Sequence, residues 1–285
     1  MKINQLFPEG LVREERDLEL TSEYLELTLN GSYLYLPKES LSERELLLSG
    51  LSTEVLEIAE QAEKNVWQTY LVQKKGHAPQ LFDKVQFIYV DHLLSLSKDL
   101  KDFFASLLVN LEAIVEVSST RTVLLLNQDM SFDAQDLIKD ILPTIENDFD
   151  MKLTIFFGNS WAKLKDDELP AYFDSENRLF SDVINYKAVD NTFAFSQVLL
   201  WGMARQSDLT LVKNKMLSYI NDTKDIRDIV MTMWEEHGNL VQTAQKLFIH
   251  RNSLQYKLDK FLALSGLNLK KLDDLAFCYL LILTE

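Results

Sequence analysis

Residues 250–260 crowd hydrogen-bonding side chains into one short stretch: His250, Arg251, Asn252, Ser253, Gln255, Tyr256, Lys257 and Lys260. The chemistry on offer is recognition, not bond making. A guanidinium matches the paired acceptors of guanine, and the amide of Asn or Gln matches adenine. Lysine ammonium groups suit phosphate oxygens. With about 100° per residue on a helix, Asn252, Gln255, Tyr256, Asp259 and Lys260 face away from Leu254 and Leu258. His250, Arg251, Asn252 and Gln255 then stand at the helix N-terminus, the end that recognition helices put on base edges. Lys257 flanks the apolar face and points to a phosphate role, with Lys246 and Lys260. Two of these residues keep a second reading: His250 as a cap or packing residue, Tyr256 as half-buried.

Such a helix needs a partner that sets its angle. Residues 239–261 read as a helix-turn-helix, two short helices crossing steeply through a tight turn. Ala244 supplies the small residue at the crossing, and Leu240 and Leu247 share the inner face of the first helix. Ile249 plugs the turn, and Leu254, Leu258 and Phe261 recur at helical spacing on the second. Gly238-Asn239 closes the preceding helix and caps the next.

The chain has 285 residues, 47 % hydrophobic and 26 % charged, within the range of packed globular proteins. Its formal net charge is −15, which excludes a protein that coats nucleic acid with its whole surface. Between residues 240 and 271, however, six cations face Asp259 alone, a local charge of +5. A basic island on an acidic body fits one small face on DNA. No apolar run reaches membrane-spanning length and the N-terminus lacks a signal peptide's apolar core, so the expectation is a cytoplasmic protein without a membrane partner.

Other chemistry finds little support. His77, His92, His237 and His250 are scattered without metal-ligand spacing, so no metal and no cofactor is expected. Cys278 reads as a small core residue. The acidic run 165–168 reads as a solvated loop.

Along the chain the fold class is α+β. Residues 1–78 form an N-terminal α/β segment, a candidate sensor: alternating runs flank Asn30-Gly31, a hairpin signal. A capping box at Ser42 and Glu45 and an amphipathic pattern over 53–73 predict helices. Residues 79–192 carry strands near 85–90, 113–117, 122–126 and 153–157 and helices near 96–108 and 132–148, with a kink at Pro143. That β-α-β-β-α-β order is that of a ferredoxin-like split βαβ domain. Residues 158–192 give a mixed signal, and 193–285 reads as all helix, ending in an apolar helix over 272–283 that covers the helix-turn-helix or a dimer interface.

Gly238-Asn239, Thr243-Ala244, Leu247, Ile249-His250-Arg251-Asn252-Ser253-Leu254, Tyr256-Lys257-Leu258 and residues 265–269 together resemble the C-terminal helix-turn-helix of the PucR/CdaR family of bacterial regulators. Lys257 stands for the usual Arg, Ser265 for Thr and Asn268 for Asp; Lys keeps the charge but loses the bidentate fork. The resemblance implies ligand-responsive transcription control, with double-stranded DNA and a small-molecule effector as partners. It also implies a central domain like a degenerate GGDEF nucleotide cyclase. A working cyclase would need Gly-Gly and acidic residues in the hairpin that here reads Ser118-Ser119-Thr120-Arg121; Asp91 alone is not a metal site, so an enzyme is not expected. A homodimer is expected, because one short helix reads too few bases. Two rivals stay open: a nucleotide-binding protein, and a protein-interaction module whose helix-turn-helix does not bind DNA.

Overall fold

The computed structural model describes residues 11–13, 24–29, 32–38, 41, 66–130, 132–186 and 191–285. They fall into two compact units, 1–64 and 65–285. In the first, β1 (Leu11–Arg13), β2 (Tyr24–Leu29) and β3 (Ser32–Pro37) form an antiparallel sheet in the order β1-β3-β2. Leu29 pairs with Ser32, the register of the hairpin expected around Asn30-Gly31. Tyr35 donates its hydroxyl to Glu26 on the facing strand at 3.0 Å. The capping box at 42–45 and most of the helix expected over 53–73 lie outside the described residues; the end of that helix is α1 (Val66–Leu71).

The second unit is built on a sheet in the order β5-β6-β4-β7-β8. Its strands are β4 (Lys84–His92), β5 (Leu111–Ser118), β6 (Arg121–Asn127), β7 (Leu153–Ala162) and β8 (Thr192–Ala194). The first four pair antiparallel, with α2 (Lys98–Leu107) and α3 (Ala134–Asp148) as crossovers, which is the split βαβ arrangement. Pro143 lies inside α3. β8 runs parallel to β7. The segment read as all helix from residue 193 thus begins with a short strand that takes in Phe193 and Ala194, because backbone pairing to β7 overrides the local pattern.

Strand periodicity sorts the two faces. Ile88, Val90, Leu124, Leu126, Ile155 and Phe157 pack under α2 and α3. Phe87, Tyr89, Val123, Leu125, Phe156 and Trp161 face the other way, into a larger core. With both faces covered, β6 is buried at every position from Arg121 to Leu126. That is why these strands read as unbroken apolar runs.

The larger core also holds α4 (Leu169–Tyr186) and the C-terminal helices α5 (Phe195–Ala204), α6 (Thr210–Asp222), α7 (Ile226–Glu235), α8 (Leu240–Lys246), α9 (Arg251–Ser265) and α10 (Leu272–Leu283). One apolar interior therefore joins the sheet to the helix-turn-helix. α10 packs on α5 and α7, with Leu275, Phe277, Cys278 and Leu281 buried. Burial pushes the Cys278 thiol far up, so it stays a neutral core group.

Candidate nucleic-acid interface

The approach to α8 is a tight reversal. His237 and Gly238 both have positive φ, and the Gly238 N–H reaches back to Met233 O at 2.8 Å. Asn239 then caps α8, its side chain accepting from the N–H groups of Val241 (3.0 Å) and Gln242 (3.2 Å).

α8 ends in a Schellman motif. The Phe248 N–H donates to Gln245 O and the Ile249 N–H to Ala244 O. This puts Phe248 at φ 55°, the left-handed position where glycine is the default. Its ring is 96 % exposed. Ile249 turns inward, half-buried against the core, as a plug must.

His250 caps α9. Its Nδ1 accepts the Asn252 N–H at 3.2 Å, which leaves Nε2–H as a donor on an exposed ring. Ala244, Leu254, Leu258 and Phe261 are buried, so the inner faces of both helices meet as their spacing requires. Arg251, Asn252, Ser253, Tyr256, Asp259 and Lys260 are exposed. Tyr256, at 70 % exposure, is not half-buried. Arg251 and Lys260 form no ion pair among the described residues.

The remaining polar groups are engaged. Gln255 donates to Asp259 at 2.6 Å, a bond that holds the Asp259 carboxyl below its ordinary range. Lys257 bonds Asp225 at 2.6 Å, tying α9 to the start of α7 and lowering the Asp225 carboxyl in the same way. Lys246 lies 2.7 Å from Glu236 and 2.9 Å from Glu235, whose hydrogen bonds raise its ammonium group. The local charge of +5 is therefore diluted by acids from α7 and from the turns on either side of it. Phe248 joins the set by position alone: no pattern marks an exposed aromatic in the turn.

The far end of α9 is docked. Gly266 follows it at φ 76°, and a Cβ there would sit 2.4 Å from Asn159 Oδ1. The Asn159 Nδ2 donates to Ser265 O at 2.9 Å. Beneath, Glu176 Oε1 accepts from the Asn159 N–H and from Trp161 Nε1, both at 2.9 Å. Burial pushes the Glu176 carboxyl up to about 8, against the opposing pull of those bonds.

At the hairpin of residues 118–121, Asp91 is ion-paired to Arg121. The same guanidinium donates to Asn177 and Ser181 and lies 4.7 Å over the Phe180 ring. Among the described residues no group of three His, Cys, Asp or Glu is placed to hold a metal ion, and no helix is long and apolar enough to cross a membrane.

Comparison with known proteins bears on the same region. The profile of the PucR C-terminal helix-turn-helix domain matches residues 227–283, α7 through α10. A protein called leucine-rich protein, from Streptococcus dysgalactiae subsp. equisimilis, is 39 % identical over 261 residues, covering 92 % of each chain. The Bacillus subtilis protein YxkF is 24 % identical, over 89 % of this chain and 88 % of its own. A crystal structure of a regulator of polyketide synthase expression from Bifidobacterium adolescentis covers 72 % of this chain and 80 % of its own. The two share 14 % identity with a TM-score of 0.36. The helix-turn-helix match falls on the turn, caps and inner faces described above, and the chain belongs to the PucR/CdaR-type family of transcriptional regulators.

Proposed function

We propose that the chain is a sequence-specific DNA-binding regulator that inserts the N-terminal half of α9 into the major groove. One observation carries this reading: Arg251, Asn252, Ser253 and Tyr256 are exposed together on the first turns of a helix whose inner face is fully packed. Arg251 and Asn252 read base edges, with His250 and Gln255 beside them. Lys260, Lys246 and Lys257 serve phosphates; the last two must first give up carboxylate partners. The unit acts as a homodimer on paired half-sites and answers to a small metabolite. Its sheet is a non-catalytic, GGDEF-like scaffold, a view supported by Asp91 being neutralised by Arg121.

The test is titration of the full chain against duplexes recovered by genomic footprinting. Arg251→Ala and Asn252→Ala should each cost about 1–3 kcal/mol of specific binding with the thermal midpoint unchanged. Wild-type affinity in both variants would remove the reading.

A second reading, a protein partner in place of DNA, draws on the ion pairs of Lys246 and Lys257 with Glu235, Glu236 and Asp225. No DNA affinity at low salt, where electrostatic attraction is greatest, would select it.

A further inference from the structure

A cleft of about 730 Å³ opens beside the docked end of α9, well within the range of small-molecule sites. One wall is α9 itself, at Leu262 and Ala263. The lining also takes in the end of β7, at Gly158, Asn159 and Ser160, together with the first turns of α3. The cleft lies at the Lys84 end of β4. Asp91 and the hairpin of residues 118–121 lie at the other end, so this is not where a cyclase would hold a nucleotide.

The charges around the cleft are unequal in what they have left to bind. Asp133 accepts from the N–H groups of Gln135 and Asp136, and Asp259 from Gln255 and Lys270. Asp273 accepts from Gln197, and Asp274 from Ser196 and the Asn268 N–H. Of the lining carboxylates only Asp136 has no such partner among the described residues. The lining lysines, Lys84, Lys139 and Lys271, form no ion pair there at all. Among the described residues Lys139 has only the Phe157 ring, 6.0 Å away. In addition, α3, α5 and α10 all begin at the rim, and α10 does so without a side-chain cap.

We infer that this cleft binds an anionic metabolite, bearing carboxylate or phosphate, whose apolar body lies along Phe132, Leu262 and Ala263. The lysines hold the anion. The ligand bridges the sheet and the docked end of α9. That helix runs unbroken from the cleft wall at Leu262 to Arg251, about 17 Å at 1.5 Å per residue, so a shift at one end is delivered to the other. The link to DNA rests on the regulator reading above; the binding itself does not.

The probe is anilinonaphthalene sulfonate, an aromatic anion that fluoresces when bound, titrated into the full chain. AMP and citrate serve as competitors for the phosphate and carboxylate sources. Wild type should bind the dye saturably and release it to one competitor. Lys84→Gln and Lys139→Gln should each weaken the competitor about tenfold, and Asp136→Asn should strengthen it. Unchanged thermal midpoints would show that the lysine variants fold, since neither lysine forms an ion pair. Displacement by AMP alone assigns phosphate, and by citrate alone carboxylate. No saturable binding, no displacement by either anion, or lysine variants that titrate like wild type would overturn the inference. In a second arm, the effective competitor should change DNA affinity at least several-fold in wild type and not in the double lysine variant. Dye displacement without any DNA binding would refute the regulator reading and leave the site standing.

Discussion

The two ends of α9 are made of one helix and obey opposite rules. From Arg251 to Lys260 the outer rim is exposed, and its exposed cations Arg251 and Lys260 form no ion pair among the described residues. From Phe261 to Gly266 the helix is held by burial, by a hydrogen bond to Asn159 and by a glycine that admits no side chain. Surface groups left unpaired contribute little to folding and are available to a ligand. Groups paired and buried fix position. The contrast teaches that the reading end owes its orientation to the docked end, not to its own contacts.

The largest test of that contrast is Phe261→Ala. The ring is fully buried where α9 meets the core, so its removal should cost about 3–5 kcal/mol in urea unfolding. A loss as small as that of an exposed position would mean the docked end is not docked. Next is pH. The Glu176 carboxyl, ordinarily near 4.5, is pushed up to about 8 by burial beneath Asn159. Between those values the folded chain holds a proton that the unfolded chain has released. Stability should therefore fall as pH rises through this window, by an amount on the order of a few kcal/mol. Glu176→Gln should flatten that slope; an identical slope in the variant would show that another group titrates.

How far the sequence reaches follows the same divide. The helix-turn-helix was legible because its demands are local: Ala244 at the crossing, Ile249 in the turn and Leu254, Leu258 and Phe261 one turn apart. The central strands were legible because both faces are covered, so Val123 to Leu126 read as one apolar run. The second half of β7 was not. Gly158, Asn159 and Ser160 look like a break, yet the strand continues because Ser160 pairs with Gln86, and Glu176 and Ser265 take up the donors of Asn159. Likewise Lys257 meets Asp225 across 32 residues, and Lys246 meets Glu235 and Glu236 across a reversal of the chain. A charge count along the sequence cannot see partners that folding brings together.

That ion pair sharpens the comparison in the middle of α9, where the free rim meets the tethered flank. If Lys257 exchanges Asp225 for a phosphate on binding, Lys257→Ala should weaken all DNA sequences alike and reduce the salt slope by about one unit. Stability should hardly change, since an exposed pair contributes little. A lower thermal midpoint with an unaltered salt slope would instead make Lys257 a tether of α7 to α9 and move the boundary between the two ends toward Arg251.

The smallest effect concerns Phe248, and it has an unusual sign. A phenylalanine at φ 55° pays a backbone penalty that glycine avoids, and its almost fully exposed ring recovers nothing from the core. Phe248→Gly should therefore stabilise the chain, by about 1 kcal/mol once the greater freedom of glycine in the unfolded chain is set against the relieved strain. Urea unfolding of the two proteins side by side reads it directly. A gain leaves the aromatic without a role in folding and makes the turn beside His250 and Arg251 a place where a side chain is kept for what it touches outside the chain. A loss of stability would mean that the ring is covered in solution, and the reading end would then be less free than its exposure implies.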